Sequence, residues 1–322
     1  MSLGNPDRPV GGLAVPRPEG IEIRPPGRDD ADAVLALVAE LNGADGAPDE
    51  DRRAAFEAIV SDVDQVPLLA LSGTEPVGVI SFGFRRRLNH ATFEGWMSEI
   101  FVREPFRRRG IGRALLASCI AEWRLRGGHQ VETELRREQV AAAGLCQSAG
   151  FVDRGKFYAI APVATRDIGR QPGVDVRPIE DTDADFDAVT RLLAELGRPT
   201  PSEEQLPALR RTYAQHVGRA TTGSRLASLD GRPVGFISLE LRTRLRDGLP
   251  EAWIPDLIVA EAARGRDIGA ALLDAAFATA VERGATAAKL ESGSHRTVAH
   301  RLYEAAGMVD VGSFFTRLRP GS

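Results

Sequence analysis

The chain repeats itself. From Pro76 onward its two halves align without a gap at a constant offset of 157 residues: Pro76-Val77-Gly78 pairs with Pro233-Val234-Gly235, Trp96 with Trp253, Arg107 with Arg264, Gly127 with Gly284 and Gly150 with Gly307. Roughly a third of the paired positions over that span are identical, far above chance for a repeat this long. Earlier segments echo more loosely, Ile21-Glu22-Ile23-Arg24-Pro25 in Val174-Asp175-Val176-Arg177-Pro178 and Val38-Ala39-Glu40-Leu41 in Leu193-Ala194-Glu195-Leu196. A duplicated chain folds as two similar units. The reading that follows is a flexible Pro- and Gly-rich N-terminal tail over 1–20, a first domain over 21–162, a linker over 163–173 and a second domain over 174–322.

At 322 residues the chain is long enough for two ordinary domains, and its 43% hydrophobic and 27% charged residues are those of a globular protein. A formal charge of −4 argues against nucleic acid as a partner. Cys119 and Cys146 are too few for a disulfide framework, which points to a reducing, cytoplasmic setting. No apolar run approaches the roughly 18 residues of a membrane span, and the first residues lack a secretory pattern. No membrane partner is expected.

Within each half the pattern reads strand, helix, helix, several strands, helix, strand, helix, strand, which implies an α/β domain with a mixed sheet. In the first half the strand over 21–24 leads through Asp29 and Asp30, helix-capping types, to a helix with Val34, Leu37, Val38 and Leu41 on one face. A helix near 54–60 and strands over 68–71 and 77–84 follow, the strands joined by a turn at 73–76. Another strand leads into residues 99–102. A long helix then runs to residue 126 and is closed by Gly127-Gly128; a strand over 131–135, a helix over 140–148 and a last strand region complete the half.

The chemistry concentrates after Glu99. Ile100, Phe101 and Val102 read as a short buried strand that Pro105 ends, and Arg107-Arg108-Arg109-Gly110-Ile111-Gly112-Arg113 opens the long helix. Glycines between a strand and a helix let main-chain N–H groups converge at the positive end of the helix dipole, an anion site suited to a pyrophosphate. A second copy follows Asp256: Leu257-Ile258-Val259, then Arg264-Gly265-Arg266-Asp267-Ile268-Gly269-Ala270. Its Asp267 stands where the first copy has Gly110. Asp tolerates left-handed backbone angles, so the loop shape is expected to survive, with a charge that weakens the site: about 4 kcal/mol for two unit charges 4 Å apart at an effective dielectric of 20, less in solvent.

These loops resemble the acyl-CoA motif of the GCN5-related N-acetyltransferases (GNAT), Arg or Gln-x-x-Gly-x-Gly or Ala. Arg107, Gly110 and Gly112 fill its defined positions, as Arg264 and Gly269 do in the second copy. The resemblance implies two tandem acyl-CoA N-acyltransferase domains, each a mixed, splayed β-sheet flanked by helices. It implies acetyl-CoA as cofactor, held by residues 100–102 and 107–113 and by the counterparts 257–259 and 264–270, with the pantetheine arm in the split between the fourth and fifth strands. The acceptor is expected to be a small-molecule amine, and the halves to pack as a pseudo-twofold monomer or as a homodimer.

Acetyl transfer to an amine needs a neutral nucleophile, donors to the thioester carbonyl and a proton for the leaving thiolate. By resemblance to the family's last motif, Tyr303 is the acid and Glu291, twelve residues earlier, a base. Asp256 and its first-half counterpart Glu99 are second candidates, working through water. In the first half the places of Glu291 and Tyr303 hold Glu134 and Cys146, so the phenol is missing there. Cys146 is read as a buried hydrophobe, and His295 and His300, without metal-type spacing, as structural or substrate-facing; no metal is expected. Arg85-Arg86-Arg87, Arg242 and Arg244 read as a solvated hairpin edge. Together these readings put cofactor binding in the first half and chemistry in the second. The alternatives are catalysis in the first half, with Glu99 or Glu134 as base, or a non-catalytic acyl-CoA sensor.

Overall fold

The computed structural model describes residues 18–42, 50–161, 163 and 173–319. Most of the expected tail and linker lie outside these residues. The first half contains β1 (Ile21–Arg24), α1 (Ala31–Asn42), α2 (Glu50–Ser61), β2 (Leu68–Ser72), β3 (Glu75–Arg85), β4 (Glu94–Val102), α3 (Ile111–Leu125), β5 (Gln130–Arg136), α4 (Val140–Ser148) and β6 (Val152–Ile160). The second contains β7 (Val174–Pro178), α5 (Asp183–Glu195), α6 (Leu206–Gly218), β8 (Arg225–Leu229), β9 (Arg232–Ile237), β10 (Glu240–Thr243), β11 (Pro250–Trp253), β12 (Leu257–Val259), α7 (Ile268–Glu282), β13 (Ala287–Gly293), α8 (Thr297–Ala305) and β14 (Val309–Leu318).

Strand β4 runs unbroken through Ser98, whereas the equivalent stretch of the second half is split into β11 and β12. Pro255 stands there in place of Ser98 and has no N–H to give a ladder. Residues Ile100–Val102, read as a short buried strand, are the half-buried end of a nine-residue one. In both halves the parallel pairing with the fifth strand lasts three residue pairs, Glu94–Trp96 with Gln130–Glu132 and Glu251–Trp253 with Ala287–Lys289, and then the strands part. This is the expected splay.

The sheet order runs β1-β2-β3-β4-β5-β14-β6-β13-β11-β10, with a second sheet of β12-β9-β8-β7. The last strands are thus exchanged: β14 of the second half pairs with β5 of the first, and β6 of the first pairs with β13 of the second. Gly155 and Gly312, equivalent in the repeat, make the exchange sterically feasible. A Cβ on Gly155 would lie 2.3 Å from the Ser292 carbonyl oxygen, and one on Gly312 would lie 2.0 Å from that of Leu135. The boundary at 163–173 is therefore a boundary in sequence that two strands cross in space.

The cores cross it too. Phe315 is buried with α3 and the first-half sheet, and Tyr158 with α7 and β13. Leu88, from the β3–β4 hairpin, is buried among α5, α6 and Ile258, while its equivalent Leu245 is buried among α1, α2 and Phe101. Each hairpin tip plugs the other half's helical layer. Full burial of a leucine contributes roughly 1.5–3 kcal/mol, so neither half is complete alone.

Candidate active site

The two glycine loops have the same backbone. Each places two consecutive-but-one residues in the left-handed region: Arg108 (φ 64°) and Gly110 (φ 84°) in the first half, Gly265 (φ 75°) and Asp267 (φ 54°) in the second. Each half uses glycine at only one of the two positions, and Asp267 adopts the angle as its side chain permits. Arg107 Nε donates to the Val102 carbonyl at 2.9 Å, and Arg264 Nε to that of Val259 at 3.2 Å. The motif arginine thus ties each loop to the end of the motif strand.

A cavity of about 510 Å³ opens in the second half, between β12, the loop with the first turn of α7, and the start of α8. Leu257, Ile258 and Val259 form one wall; Arg264, Gly265, Asp267, Ile268, Gly269 and Ala270 form the floor; His295, Arg296, Leu302 and Tyr303 close the far side. An apolar slot flanked by an exposed strand edge and ending at a helix N-terminus fits a pantetheine arm and its diphosphate. This cavity lies at the second copy of the motif, where the sequence reading expected the weaker cofactor site. Among the described residues, the first-half loop has Pro18 against it: a Cβ on Gly110 would meet the proline ring at 3.6 Å.

Tyr303 is 7% exposed and packs edge-on to Tyr158, with ring centroids 5.5 Å apart. Burial pushes its phenol up to about 12, against the opposing pull of Arg296 and the Ser292 hydroxyl, so it carries its proton at neutral pH. Tyr158 belongs to β6 of the first half, and its own hydroxyl donates to Glu304 at 3.0 Å. Asp256 is buried just ahead of β12. Arg198 Nη2 pairs with it at 2.7 Å, and its N–H donates to Ser238 Oγ at 2.9 Å. Arg296, half-buried at the cavity wall, donates to the Leu196 carbonyl at 3.0 Å. Burial and the neighbouring Arg198 lower its pKa.

Glu291 lies elsewhere. Trp253 Nε1 donates to it at 2.9 Å, and its carboxyl lies within 4.8 Å of those of Glu132 and Glu134, away from the cavity wall. Burial, then Glu134 and Glu132, raise the Glu291 carboxyl well above its usual range, and the carboxyls of Glu291 and Glu134 share a hydrogen bond. Glu134 is more deeply buried, at 4% exposed, yet Arg242 and Arg244 hold it well below that range.

These groups belong to a charge lattice between the halves, which corrects the reading of the hairpin arginines as a solvated edge. Arg85 and Arg87 pair with Glu94 and Glu132; Arg242 and Arg244 pair with Glu134 and Glu251; Lys289 pairs with Glu251. Arg85 stacks on Trp253 at 3.6 Å and Arg242 on Trp96 at 4.2 Å, a reciprocal exchange across the interface. Arg85 and Arg242 lie at the ends of β3 and β10, and Arg87 and Arg244 in the hairpins just beyond them. Of the three clustered carboxyls, Glu132 and Glu134 have guanidinium partners, and Glu291 has Trp253 and Glu134.

In the first half, Glu99 is 4% exposed, with Ser98 Oγ donating to one oxygen, and burial raises its carboxyl. Cys146 is fully buried and its thiol is pushed up to about 12 by burial, which leaves it inert at neutral pH. His295 lines the second-half cavity, whereas His300 is buried beside Tyr158. Arg198, Arg296 and Tyr158 were not singled out by the sequence reading. Arg198 and Tyr158 sit in segments outside the motifs, and Arg296, inside the last one, carries no spacing signal of its own; only the fold brings them to the site.

The splayed sheets, the paired loops and the cavity define an acyl-CoA-type acyltransferase fold present twice. The sequence model of the acetyltransferase (GNAT) family matches residues 33–151 and again 189–308, and the chain belongs to that family. It is an acyltransferase of the N-acetyltransferase class with tandem GNAT domains. An aminoalkylphosphonate N-acetyltransferase of Salmonella typhimurium is 35% identical over 120 residues, 36% of this chain and 76% of the relative. A GCN5-related N-acetyltransferase from Sphaerobacter thermophilus superposes with a TM-score of 0.62 over 95% of this chain and 98% of its own, at 22% identity. A tandem GNAT protein from the clavulanic acid biosynthesis pathway gives 0.59 over 92% and 98%, at 16% identity. At those identities the two structures speak to the fold alone. Among the described residues no helix is long and apolar enough to cross a membrane.

Proposed function

We propose that the protein moves the acetyl group of acetyl-CoA to the primary amine of a small molecule that also carries an acidic group, and that the reaction runs in the second half. The observation that carries this reading is the cavity that unites the strand Leu257–Val259, the loop at Arg264–Ala270 and the protonated phenol of Tyr303. Residues 257–259 and the first turn of α7 would hold the cofactor, which supplies an activated thioester when bound.

Each remaining need has a group of this chain to meet it. β12 is the edge of its sheet, paired on one side with β9, so the N–H groups of its open side would be the donors that stabilise developing charge on a carbonyl oxygen. Tyr303 gives up its proton to the departing sulfur. Asp256, placed where the motif strand begins, draws a proton from the ammonium through water, and it replaces Glu291 in that role. Arg296 lines the cavity and Arg198, its neighbour, pairs with Asp256; the two cations favour an acceptor with a carboxylate, phosphate or phosphonate. The aminoalkylphosphonate relative is in keeping with such an acceptor.

The test is steady-state turnover of acetyl-CoA against a panel of amines with acidic, neutral and basic tails. The acidic set is expected to give the highest kcat/KM. Tyr303→Phe is expected to lower kcat by about 100-fold or more, the scale of general acid catalysis, with KM for acetyl-CoA within twofold. Undiminished turnover in Tyr303→Phe removes the phenol from the reaction, and a panel without preference removes the acidic acceptor.

A further inference from the structure

Pro255 marks the fork where the motif strand of the second half leaves its neighbour. The Ile254 N–H still donates to the Lys289 carbonyl at 3.0 Å, whereas from Leu257 onward the strand pairs with β9. The Pro255 carbonyl at this fork accepts from two guanidinium groups. One is Arg198 Nη2 at 3.3 Å, from the second half; the other is Arg87 Nη1 at 3.5 Å, from the first. Arg87 is held in place by Glu94 Oε2 at 2.5 Å and Glu132 Oε2 at 2.9 Å, and it is 6% exposed. Its neighbour Leu88 is buried in the same cluster as Ile258 of β12. The hairpin is therefore pinned on both sides of the interface.

We propose that Arg87, carried by the first half, is a positioning residue for acetyl transfer in the second: it fixes the fork at Pro255 from across the interface, and with it the direction of the β12 amides and of Asp256. The inference rests on the second half being the catalytic one. Both contacts are long for hydrogen bonds, and the restraint on the carbonyl comes from the two cations converging on it, each itself fixed by carboxylates: Arg198 by Asp256, Arg87 by Glu94 and Glu132. The next peptide plane is rigid, so the restraint passes to the groups beyond it. Reacting groups are sensitive to such placement, with a 1 Å error costing about 100-fold in rate.

The repeat supplies a matched control. Arg244 is equivalent to Arg87, is as deeply buried in ion pairs with Glu134 and Glu251, and donates to the Ser98 carbonyl at 3.0 Å, just before Glu99 of the first half. Arg87→Gln and Arg244→Gln, made in the full chain, are compared by Tm and by kcat and KM per folded enzyme, with acetyl-CoA and the best amine of the panel. Both are expected to lower Tm. Arg87→Gln alone is expected to lower kcat, by about 10–100-fold, with KM for acetyl-CoA within twofold. If either glutamine variant does not fold, Arg87→Lys against Arg244→Lys carries the same comparison with charge retained, and a fall in kcat confined to position 87 is expected.

Equal kcat losses at the two positions, or none at position 87, overturn the inference if Tyr303→Phe remains impaired. A loss confined to position 244 together with an unimpaired Tyr303→Phe overturns it along with the assignment of chemistry to the second half.

Discussion

The halves share a backbone at the glycine loop and part company at the chemistry beyond it. The first half has Arg107, Arg108 and Arg109 around its loop, with Pro18 against Gly110 and a buried thiol at Cys146. The second has Asp267 in the loop, an open cavity and the phenol of Tyr303. Loop shape therefore says little about which copy works, because one glycine and one tolerant residue satisfy two left-handed positions in either order. The proton donor, Tyr303 against Cys146, distinguishes the copies.

The contrast can be broken most sharply at the loops. A glutamate at position 269 would press on Leu302, whose Cδ2 lies 3.1 Å from where a Cβ would sit, and it would set a carboxylate in the anion site. Gly269→Glu is expected to weaken CoA binding by about 100-fold or more, read by calorimetry, while Gly110→Glu changes it little. Loss confined to Gly110→Glu would return cofactor binding to the first half.

Next come the two hairpin plugs. Leu88→Ala and Leu245→Ala are each expected to cost about 2–5 kcal/mol in urea unfolding, and both should shift a single shared transition. Two transitions, each moved by one variant only, would show that the halves are independent.

The smallest effect concerns Glu291. A carboxyl raised in the folded state stabilises at low pH, and that contribution is lost as pH climbs through its folded value. Glu132, pushed up to about 7 by burial and Glu94, behaves in the same sense. Glu291→Gln mimics the protonated form, so its Tm should match the parent below about pH 4.5, where the carboxyl is protonated folded and unfolded alike, and exceed it at neutral pH and above, by about 1–2 °C for each 1 kcal/mol in a chain of 322 residues. Its kcat should stay within threefold. A large loss of kcat would reinstate Glu291 as the base.

Much of this architecture was legible in the sequence. The repeat, the element order and the strand–loop–helix motif rest on local periodicity and turn chemistry, which one sequence carries. The strand exchange was not legible, for a physical reason: Val152-Asp153-Arg154-Gly155 and Val309-Asp310-Val311-Gly312 present nearly the same pattern, so either strand suits either sheet. Charge signs misled at the hairpins. Arginines clustered at a hairpin usually meet water, and only the fold brings Trp96, Trp253 and the glutamates of β4, β5, β11 and β13 around them. Glu291 carried the family's spacing, yet its side of β13 turns toward Trp253 and the other half.

Lys289 gives the interface its direction. It occupies the place that Glu132 holds in the first half, pairs with Glu251, and is lowered to about 8 by burial and Arg244. Two copies of the first half, docked face to face in the same way, would set a pair each of Arg85 and Arg87 against a pair each of Glu94, Glu132 and Glu134, leaving carboxylates without counter-ions in a dry seam. Exchanging one glutamate for a lysine on one side alone removes that surplus. The seam thus discriminates self from complement: each half recognises its covalent neighbour and repels a duplicate of the first.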